Sequence, residues 1–186
     1  MGGINLKEIL VDPNVSKIKF EREVKSLLDR RDQLRKRGWL IEAISFPKIR
    51  VTFLAINLSP PIAPLTVEID FTNYNLYPPS VELLNPINLN AQNLIGLQEN
   101  KNIIIQKHPN TKKPFLCLPG VREYHNHPQH DGDSWDLHRY KGEGSLYFLL
   151  EKIWEYSIKP IKAYIVPVQF TSSKVGIVME EKKNHE

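Results

Sequence analysis

The sequence predicts an α+β fold in which an antiparallel meander of short strands packs against an N-terminal helix. Residues 16–37 carry apolar side chains at helical spacing, and a run of short segments between residues 39 and 84 is rich in β-branched and apolar residues. A second helical pattern covers residues 145–157. A helix followed by a run of strands is typical of α+β domains, whereas alternating strands and helices would predict a parallel sheet.

The first helix is predicted over residues 16–37, and residues 1–15 before it form an arm without convincing periodicity. Gly38 follows the helix as a C-terminal stop signal. The apolar face of the helix consists of Phe20, Val24, Leu27, Leu28 and Leu34. A core-packing role is therefore expected for this helix.

The charge of the chain is moderately basic, with a formal net charge of +4 and a pI of about 9.1. Five cations concentrate at the end of the first predicted helix: Arg30, Arg31, Arg35, Lys36 and Arg37. Cations at this position complement the helix dipole. No aromatic-rich binding motif accompanies them, so nucleic acid is not expected as a partner. A docking surface for an acidic protein is at least as compatible with this cluster.

Four strands are predicted at residues 39–44, 49–58, 65–71 and 81–84, with a turn at residues 46–48. In the third strand the apolar residues are predicted to face inward and the polar residues outward. The inward row is Leu65, Val67, Ile69 and Phe71, and the outward row is Thr66, Glu68 and Asp70.

The meander is followed by a long Asn-rich loop at residues 85–107, with a possible strand at residues 103–105. The helix predicted at residues 145–157 groups its apolar side chains on one face. Residues 158–170 and 175–179 are strand-like or irregular, and residues 180–186 form a charged tail. With 186 residues, the chain is interpreted as an arm (1–15), one domain (16–170) and a tail (171–186).

The most informative stretch for chemistry contains Cys117, the only cysteine of the chain. Asn110 lies seven residues upstream, within the tripeptide His108-Pro109-Asn110. A thiolate is a strong nucleophile that forms acyl intermediates without a metal, and an Asn amide can donate a hydrogen bond to an oxyanion. The alternative is a buried, unreactive cysteine, because free Cys is among the most buried residue types.

One cysteine excludes an intramolecular disulfide and fits a reducing compartment. No apolar run approaches the roughly 18 residues that a membrane span requires. The N-terminus lacks the apolar core of a secretory signal. A cytoplasmic protein with no membrane partner is therefore expected.

The order of these features resembles the ubiquitin-conjugating enzyme (UBC) family. The segment Tyr74-Asn75-Leu76-Tyr77-Pro78-Pro79 matches the family's Tyr-Pro-x-x-Pro-Pro, with Asn75 in place of the first Pro. His-Pro-Asn matches fully, and Cys117-Leu118 matches the catalytic Cys-Leu with a spacing one residue short. Trp135 and the helix at residues 145–157 lie where the family has its Trp and central helix. The resemblance covers roughly residues 16–157 and implies a UBC-like fold with an active-site loop and a divergent C-terminal segment.

The resemblance implies a transferase that accepts a ubiquitin-like protein from an activating enzyme as a thioester on Cys117. The acyl group then passes to an amine, usually a target lysine. His108 and Asn110 belong to the matched tripeptide, and Asn110 would hold the oxyanion or the adjacent loop. Binding roles are implied for Tyr74, Pro78, Pro79 and Trp135. No cofactor and no metal are expected.

The attacking amine needs orientation and deprotonation, and the segment at residues 124–138 offers several candidates. The carboxylates are Asp131, Asp133 and Asp136, and the imidazoles are His125, His127, His130 and His138. Imidazole titrates near neutral pH. His125 and Asp133 are predicted to act in this step. The departures from the family pattern suggest a divergent bacterial-type member from a ubiquitin-like conjugation operon or a related antiviral defence operon.

Two other functions remain open. His125-x-His127-Pro128 resembles the zinc pair of the JAMM proteases that remove ubiquitin, but Ser134-Trp135-Asp136 has one residue too few for that family's Ser-x-x-Asp. A non-catalytic UBC variant that only binds its modifier is the second alternative. Such variants generally lack the cysteine, so Cys117 favours the catalytic interpretation.

Overall fold

The computed structural model describes residues 10–90, 104–169 and 174–180, with the side chains of the last two strands excluded. The helices are α1 (Pro13–Leu28), α2 (Arg31–Lys36), α3 (Arg122–His125) and α4 (Leu146–Ile153), the last continued by a π-turn at Trp154–Ile158. The strands are β1 (Trp39–Ser45), β2 (Lys48–Ala55), β3 (Ile62–Asp70), β4 (Ser80–Leu84), β5 (Ile105–Lys107), β6 (Pro114–Leu116), β7 (Ala163–Gln169) and β8 (Lys174–Glu180).

Strands β1 to β4 form one antiparallel sheet in the order β1-β2-β3-β4, which confirms the predicted α+β meander. The predicted inward row of β3 is fully buried, since Leu65, Val67 and Ile69 are all 0% exposed. Helix α1 packs on the sheet with Phe20, whose ring meets that of Phe71 edge-on at 5.4 Å. The helix and the sheet thus share one core.

The polar row of β3 lies on the opposite face, but its predicted exposure is wrong for two of its three members. Thr66 is 0% exposed and its Oγ1 lies 2.5 Å from that of Thr52 on β2. Asp70 is also buried and accepts hydrogen bonds from the N–H and hydroxyl of Thr72. A polar side chain can be buried where it has hydrogen-bond partners, and alternation alone does not reveal those partners.

The single helix predicted at residues 16–37 is two helices, because the chain leaves helical geometry at Arg30 (φ −110°, ψ 9°). The N–H of Leu54 on β2 donates to Gly38 O at 2.7 Å, so the chain must reach β2 directly after α2. That tertiary contact requires a change of direction, and no Gly or Pro marks it in the sequence. Gly38 has φ +84°, which confirms the predicted stop.

One residue of the basic cluster, Arg37, contacts α4, whereas the other four are exposed. Arg37 makes two hydrogen bonds to the Glu151 carboxylate, at 2.7 and 2.9 Å, and its guanidinium lies 4.0 Å from the Trp154 ring centroid. Arg37 therefore joins α2 to α4. The four exposed cations of the cluster are Arg30, Arg31, Arg35 and Lys36.

The C-terminal half begins with the β5–β6 hairpin, whose register pairs Ile105 with Leu116 and Lys107 with Pro114. The possible strand at residues 103–105 is thus shifted toward the C-terminus, and Ile103 lies outside the described residues. Strands β7 and β8 pair antiparallel, and the predicted boundary between domain and tail at residue 170 falls between them. No helix in the described ranges is long and apolar enough to cross a membrane.

Gly120, in the segment after β6, and Gly144, in the segment before α4, lie directly against each other. A Cβ on Gly144 (φ +81°) would lie 2.7 Å from Trp135 Cη2 and 2.9 Å from Gly120 O. Gly142 has the same backbone conformation (φ +82°), but no described atom lies within 4 Å of its Cβ position. Substitutions at Gly142 and Gly144 therefore distinguish the cost of backbone strain, present at both, from the cost of overpacking, present only at Gly144.

We expect Gly142→Ala to lower the free energy of unfolding by about 1 kcal/mol through its positive φ. Gly144→Ala carries the same strain and also overpacks the Trp135 contact, which costs a further 1–3 kcal/mol or so. Urea denaturation of both variants measures the difference. Equal losses would show that the Gly120–Gly144 approach has no energetic role.

Candidate functional site

Cys117 follows β6 directly and is fixed there by its backbone. Its N–H donates to Ile104 O at 2.7 Å, which extends the β5–β6 pairing by one residue. The side chain is partly exposed, unlike the fully buried Leu116 before it. Its Sγ lies 3.3 Å from Nε2 of His130. The thiol is therefore accessible and in contact with a base, which a purely structural core cysteine does not require.

His130 is positioned by a short 3₁₀ turn, Pro128–His130, in which the N–H of Gln129 donates to Nδ1 of His127. The imidazole stacks on the Tyr124 ring with 3.8 Å between centroids and 19° between planes. Burial, reinforced by His127, lowers the pKa of His130, and burial raises the pKa of the Cys117 thiol. Both shifts favour the uncharged forms, so the pair at rest is a neutral thiol and a neutral imidazole.

Beyond Tyr124, a chain of hydrogen bonds ends at a cation held between two carboxylates. The Tyr124 hydroxyl donates to Asp133 Oδ2 at 2.7 Å, and His138 Nε2 lies 2.6 Å from Asp133 Oδ1. The other ring nitrogen of His138 meets the Glu143 carboxylate. Asp133 and Glu143 raise the pKa of His138, while the hydrogen bonds from His138 and Tyr124 lower the pKa of Asp133.

Burial and the Asp133 contact also raise the pKa of Tyr124 to about 12, so its hydroxyl keeps its proton. Asp133 is therefore an ionised brace for Tyr124 and His138. Its low pKa makes it a poor proton acceptor near neutral pH. Two residues, Tyr124 and His130, lie between Asp133 and the thiol in this series of contacts.

The charged pair of Asp133 and His138 makes stability depend on pH. The pKa of His138 is raised in the folded protein. Its contribution to the free energy of unfolding is therefore complete below the ordinary pKa of 6.5 and is lost as pH rises through the raised value. Asp133, with a lowered pKa, contributes above its ordinary 3.8 and loses that contribution as pH falls through the folded value.

We expect His138→Gln to lose about 1 kcal/mol of stability near pH 5.5 and progressively less at alkaline pH. Urea denaturation at pH 5.5, 7 and 9 checks this expectation. Asp133→Asn should reduce the same pH dependence but not abolish it, because Glu143 still faces His138, so it serves as the matched variant. A loss that grows with rising pH would contradict the assignment of an imidazolium at His138.

His125 makes no hydrogen bond to Cys117 among the described residues and instead fixes the turn after it. Its Nε2 accepts from the Gly120 N–H at 3.2 Å, and its Nδ1 lies 2.8 Å from Asp133 O. Both ring nitrogens are occupied, and burial lowers the pKa of the imidazole. The predicted role of His125 in proton transfer stays a prediction, but its contacts are those of a residue that holds the loop.

The tripeptide that contains Asn110 forms the turn of the β5–β6 hairpin. His108 is buried, and its Nδ1 accepts from the N–H groups of Asn110 (3.2 Å) and Thr111 (3.4 Å). Cys117 lies at the other end of the hairpin, three residues beyond Pro114. At about 3.3 Å per residue, that separation is about 10 Å or more along the strand. No hydrogen bond joins the described Asn110 and Cys117 side chains, and the oxyanion role of Asn110 stays a prediction.

The four residues with predicted binding roles are all buried, which gives them packing roles. Tyr74 lies edge-on to Phe71 and its hydroxyl bonds to Glu23 of α1. The carbonyls of Pro78 and Pro79 accept from Arg122 Nε and N at 3.1 and 2.9 Å. Trp135 donates from Nε1 to Asn75 O at 3.3 Å. The exposed apolar side chains of this corner are Leu76 and Tyr77, 45% and 44% exposed.

A cavity of about 340 Å³ opens beside His130, between the Tyr77–Pro78 corner and the histidine-rich loop. Its wall includes His130, His125 and Arg122, together with the carboxylates of Asp131 and Asp133. Its volume is adequate for an extended side chain or for several water molecules. The cavity thus reaches the imidazole that contacts Cys117, while Cys117 itself is not part of its wall.

No group of three or more His, Cys, Asp or Glu side chains within residues 10–90, 104–169 and 174–180 is arranged to hold a metal ion. The two histidines of the JAMM-like pattern are engaged differently. The His127 ring is buried and stacks on Phe115, with 5.4 Å between centroids, while His125 binds the Gly120 turn. Their imidazoles therefore support the loop from two separate positions.

Sequence reasoning identified Cys117 but did not select His130 from the four histidines of the loop. It missed Tyr124 and Glu143 altogether. No motif connects these residues, since they reach one another through turns whose geometry depends on capping and ring stacking. The one available signal was the density of titratable side chains after the cysteine.

The fold and the site together define an α+β protein with a cysteine–histidine pair beside its meander. The family model of the Y4jH-like proteins (Y4jH family) matches residues 11–100 and 87–161 of the chain. A protein of Sinorhizobium fredii, named "Uncharacterized protein y4jH", is 35% identical over 188 residues, which cover 86% of this chain and 90% of that protein. The chain belongs to the Y4jH-like family.

Proposed function

We propose that this protein is a ubiquitin-conjugating-type acyl transferase that carries a ubiquitin-like protein as a thioester on Cys117. The observation that supports the proposal most strongly is the position of Cys117. Its partly exposed thiol directly follows a hairpin beside a four-stranded meander and lies 3.3 Å from an imidazole. The order of Tyr-x-x-Tyr-Pro-Pro, His-Pro-Asn and Cys-Leu along the chain supports the same class.

In the loading step, Sγ of Cys117 attacks the carbonyl carbon of the thioester that the activating enzyme carries. The thiol proton passes to His130 Nε2, and the sulfur of the activating enzyme leaves and takes up a proton. Because one thioester replaces another, this exchange requires little special stabilisation. The neutral thiol of the resting pair makes proton removal by His130 the useful contribution.

In the discharge step, a lysine amine attacks the thioester on Cys117. A neutral amine is the reactive form, and the nitrogen must lose a proton as the amide forms. His130 accepts that proton, the carbon–sulfur bond breaks, and the thiolate of Cys117 is reprotonated from the imidazolium. The cavity beside His130 offers the amine an approach. Its acidic residues Asp131 and Asp133 suit the cationic form in which lysine arrives.

The proposal is tested by incubating the protein with ATP, an activating enzyme and a ubiquitin-like protein from the same gene neighbourhood. A covalent adduct that dithiothreitol cleaves is expected on a non-reducing gel. An adduct that survives dithiothreitol, or the absence of any adduct while the activating enzyme itself is charged, would contradict a thioester on this protein.

A further inference from the structure

We propose that Cys117 and His130 form a catalytic dyad that hydrolyses acyl thioesters and activated esters without an activating enzyme or an amine acceptor. This activity goes beyond the transferase proposed above, because its nucleophile in the second step is water. The two activities share Cys117 but require different partners, so each can fail independently of the other.

The thiol of Cys117 and the imidazole of His130 are in direct contact. The His130 imidazole lies 3.3 Å from the Cys117 sulfur, so it can accept the proton of any nucleophile that attacks an acyl group there, water included. A nucleophile with a base within hydrogen-bond reach, and a third group that orients the base, is the arrangement of covalent hydrolases. The described residues supply all three parts.

The orienting group is Tyr124. Its ring lies against the imidazole of His130 at 3.8 Å, nearly parallel, which limits rotation of the imidazole out of that plane. The tyrosine is itself fixed at its hydroxyl by Asp133, and Asp133 is fixed by His138. Tyr124 and Asp133 are therefore positioning residues, which act on the thiol only through His130.

The cavity of about 340 Å³ includes His130 in its wall. A water molecule occupies about 30 Å³ in the liquid, so the cavity can admit several. Arg122, Asp131 and Asp133 in the wall provide hydrogen-bonding partners for such water. Water in this cavity is adjacent to the imidazole that must accept its proton.

The reaction proceeds in two balanced steps. Cys117 Sγ attacks the acyl carbonyl carbon, the thiol proton passes to His130, and the leaving thiol or alcohol departs with that proton. Water then attacks the acyl-cysteine while His130 takes one of its protons. The carbon–sulfur bond breaks, the carboxylic acid is released, and the proton returns to the sulfur. No oxidant, reductant or metal takes part.

The test uses the purified full chain alone with p-nitrophenyl acetate and phenyl thioacetate as probes. We expect intact-mass spectrometry to show one acetyl group on Cys117 that disappears after the probe is removed, and the chromophore to report turnover. Cys117→Ala should show no acetylation at this site. His130→Gln should deacylate about 100-fold more slowly, which is the usual loss on removal of a general base.

Gln129→Ala is the matched control, because it alters an exposed side chain of the same turn. It keeps the backbone N–H that donates to His127 Nδ1. This variant should deacylate like wild type. Tyr124→Phe keeps the stacked ring but loses the hydrogen bond to Asp133. Its deacylation rate should therefore fall between those of wild type and His130→Gln. Tyr124→Phe also tests the dyad if His130→Gln proves unstable, and circular dichroism establishes whether each variant is folded.

The inference is overturned if wild type is not acetylated on Cys117, or if acetyl-Cys117 decays equally fast in wild type and in a folded His130→Gln. Loading of a ubiquitin-like protein without hydrolysis of the probes would remove the hydrolase and leave the transferase. Hydrolysis of the probes without loading, although the activating enzyme is charged, would remove the transferase and leave the hydrolase.

Discussion

Cys117→Ala is expected to abolish the adduct with a ubiquitin-like protein completely. The chain has one cysteine, so no second thiol can take over the acyl group. Cys117→Ser is expected to form an adduct more slowly and to hold it as an oxygen ester. An alcohol is a weaker nucleophile than a thiol at neutral pH, because far less of it is ionised.

The measurement is a loading assay with activating enzyme and ATP, resolved with and without dithiothreitol. The wild-type adduct should disappear with the reductant, whereas the Cys117→Ser adduct should survive it and yield to hydroxide. Gln129→Ala, which leaves the thiol and the imidazole intact, is the control for folding and docking. An adduct on Cys117→Ala would show that the modifier is attached elsewhere, and the transferase proposal would then be wrong.

The fold follows from the sequence wherever side-chain periodicity alone determines the structure. The alternating row of Leu65, Val67 and Ile69 predicted both the strand and its buried face. The break between α1 and α2 was not predictable, because it arises from the contact of Gly38 with Leu54 on a distant strand. The burial of Thr66 likewise depends on its cross-strand partner Thr52, which a period-two pattern does not identify.

The site follows from the sequence only as far as its thiol. The order of motifs pointed to Cys117, but the imidazole in contact with that thiol, His130, lies thirteen residues later along the chain, after two turns. Four histidines of the loop satisfied the same chemical requirement, and the structure distinguishes them by their neighbours. His125 is hydrogen-bonded at both ring nitrogens, and His138 is held by two carboxylates. His130 lies beside the thiol because its turn is capped and its ring stacks on Tyr124.

We expect His130→Ala to load the modifier within a few-fold of wild type and to discharge it to free lysine about 100-fold more slowly. Loading exchanges similar thioesters, so the base contributes little to it. Discharge must remove a proton from the amine, and His130 is the imidazole in contact with the sulfur that carries the acyl group. Single-turnover assays, with the loaded protein isolated before lysine is added, separate the two steps.

His125→Ala and Asp133→Asn are the decisive comparisons, because both residues lie in the same loop and neither is hydrogen-bonded to Cys117. If His130 is the base, Asp133→Asn should slow discharge less than His130→Ala does, through a less rigid Tyr124. His125→Ala should chiefly lower thermal stability, since Gly120 loses its acceptor. Unchanged discharge by His130→Ala, together with a large loss in either of the other variants, would return the proton-transfer role to His125 or Asp133. Asn110→Ala belongs in the same series, and a normal discharge rate for it would make the His-Pro-Asn segment a structural turn alone.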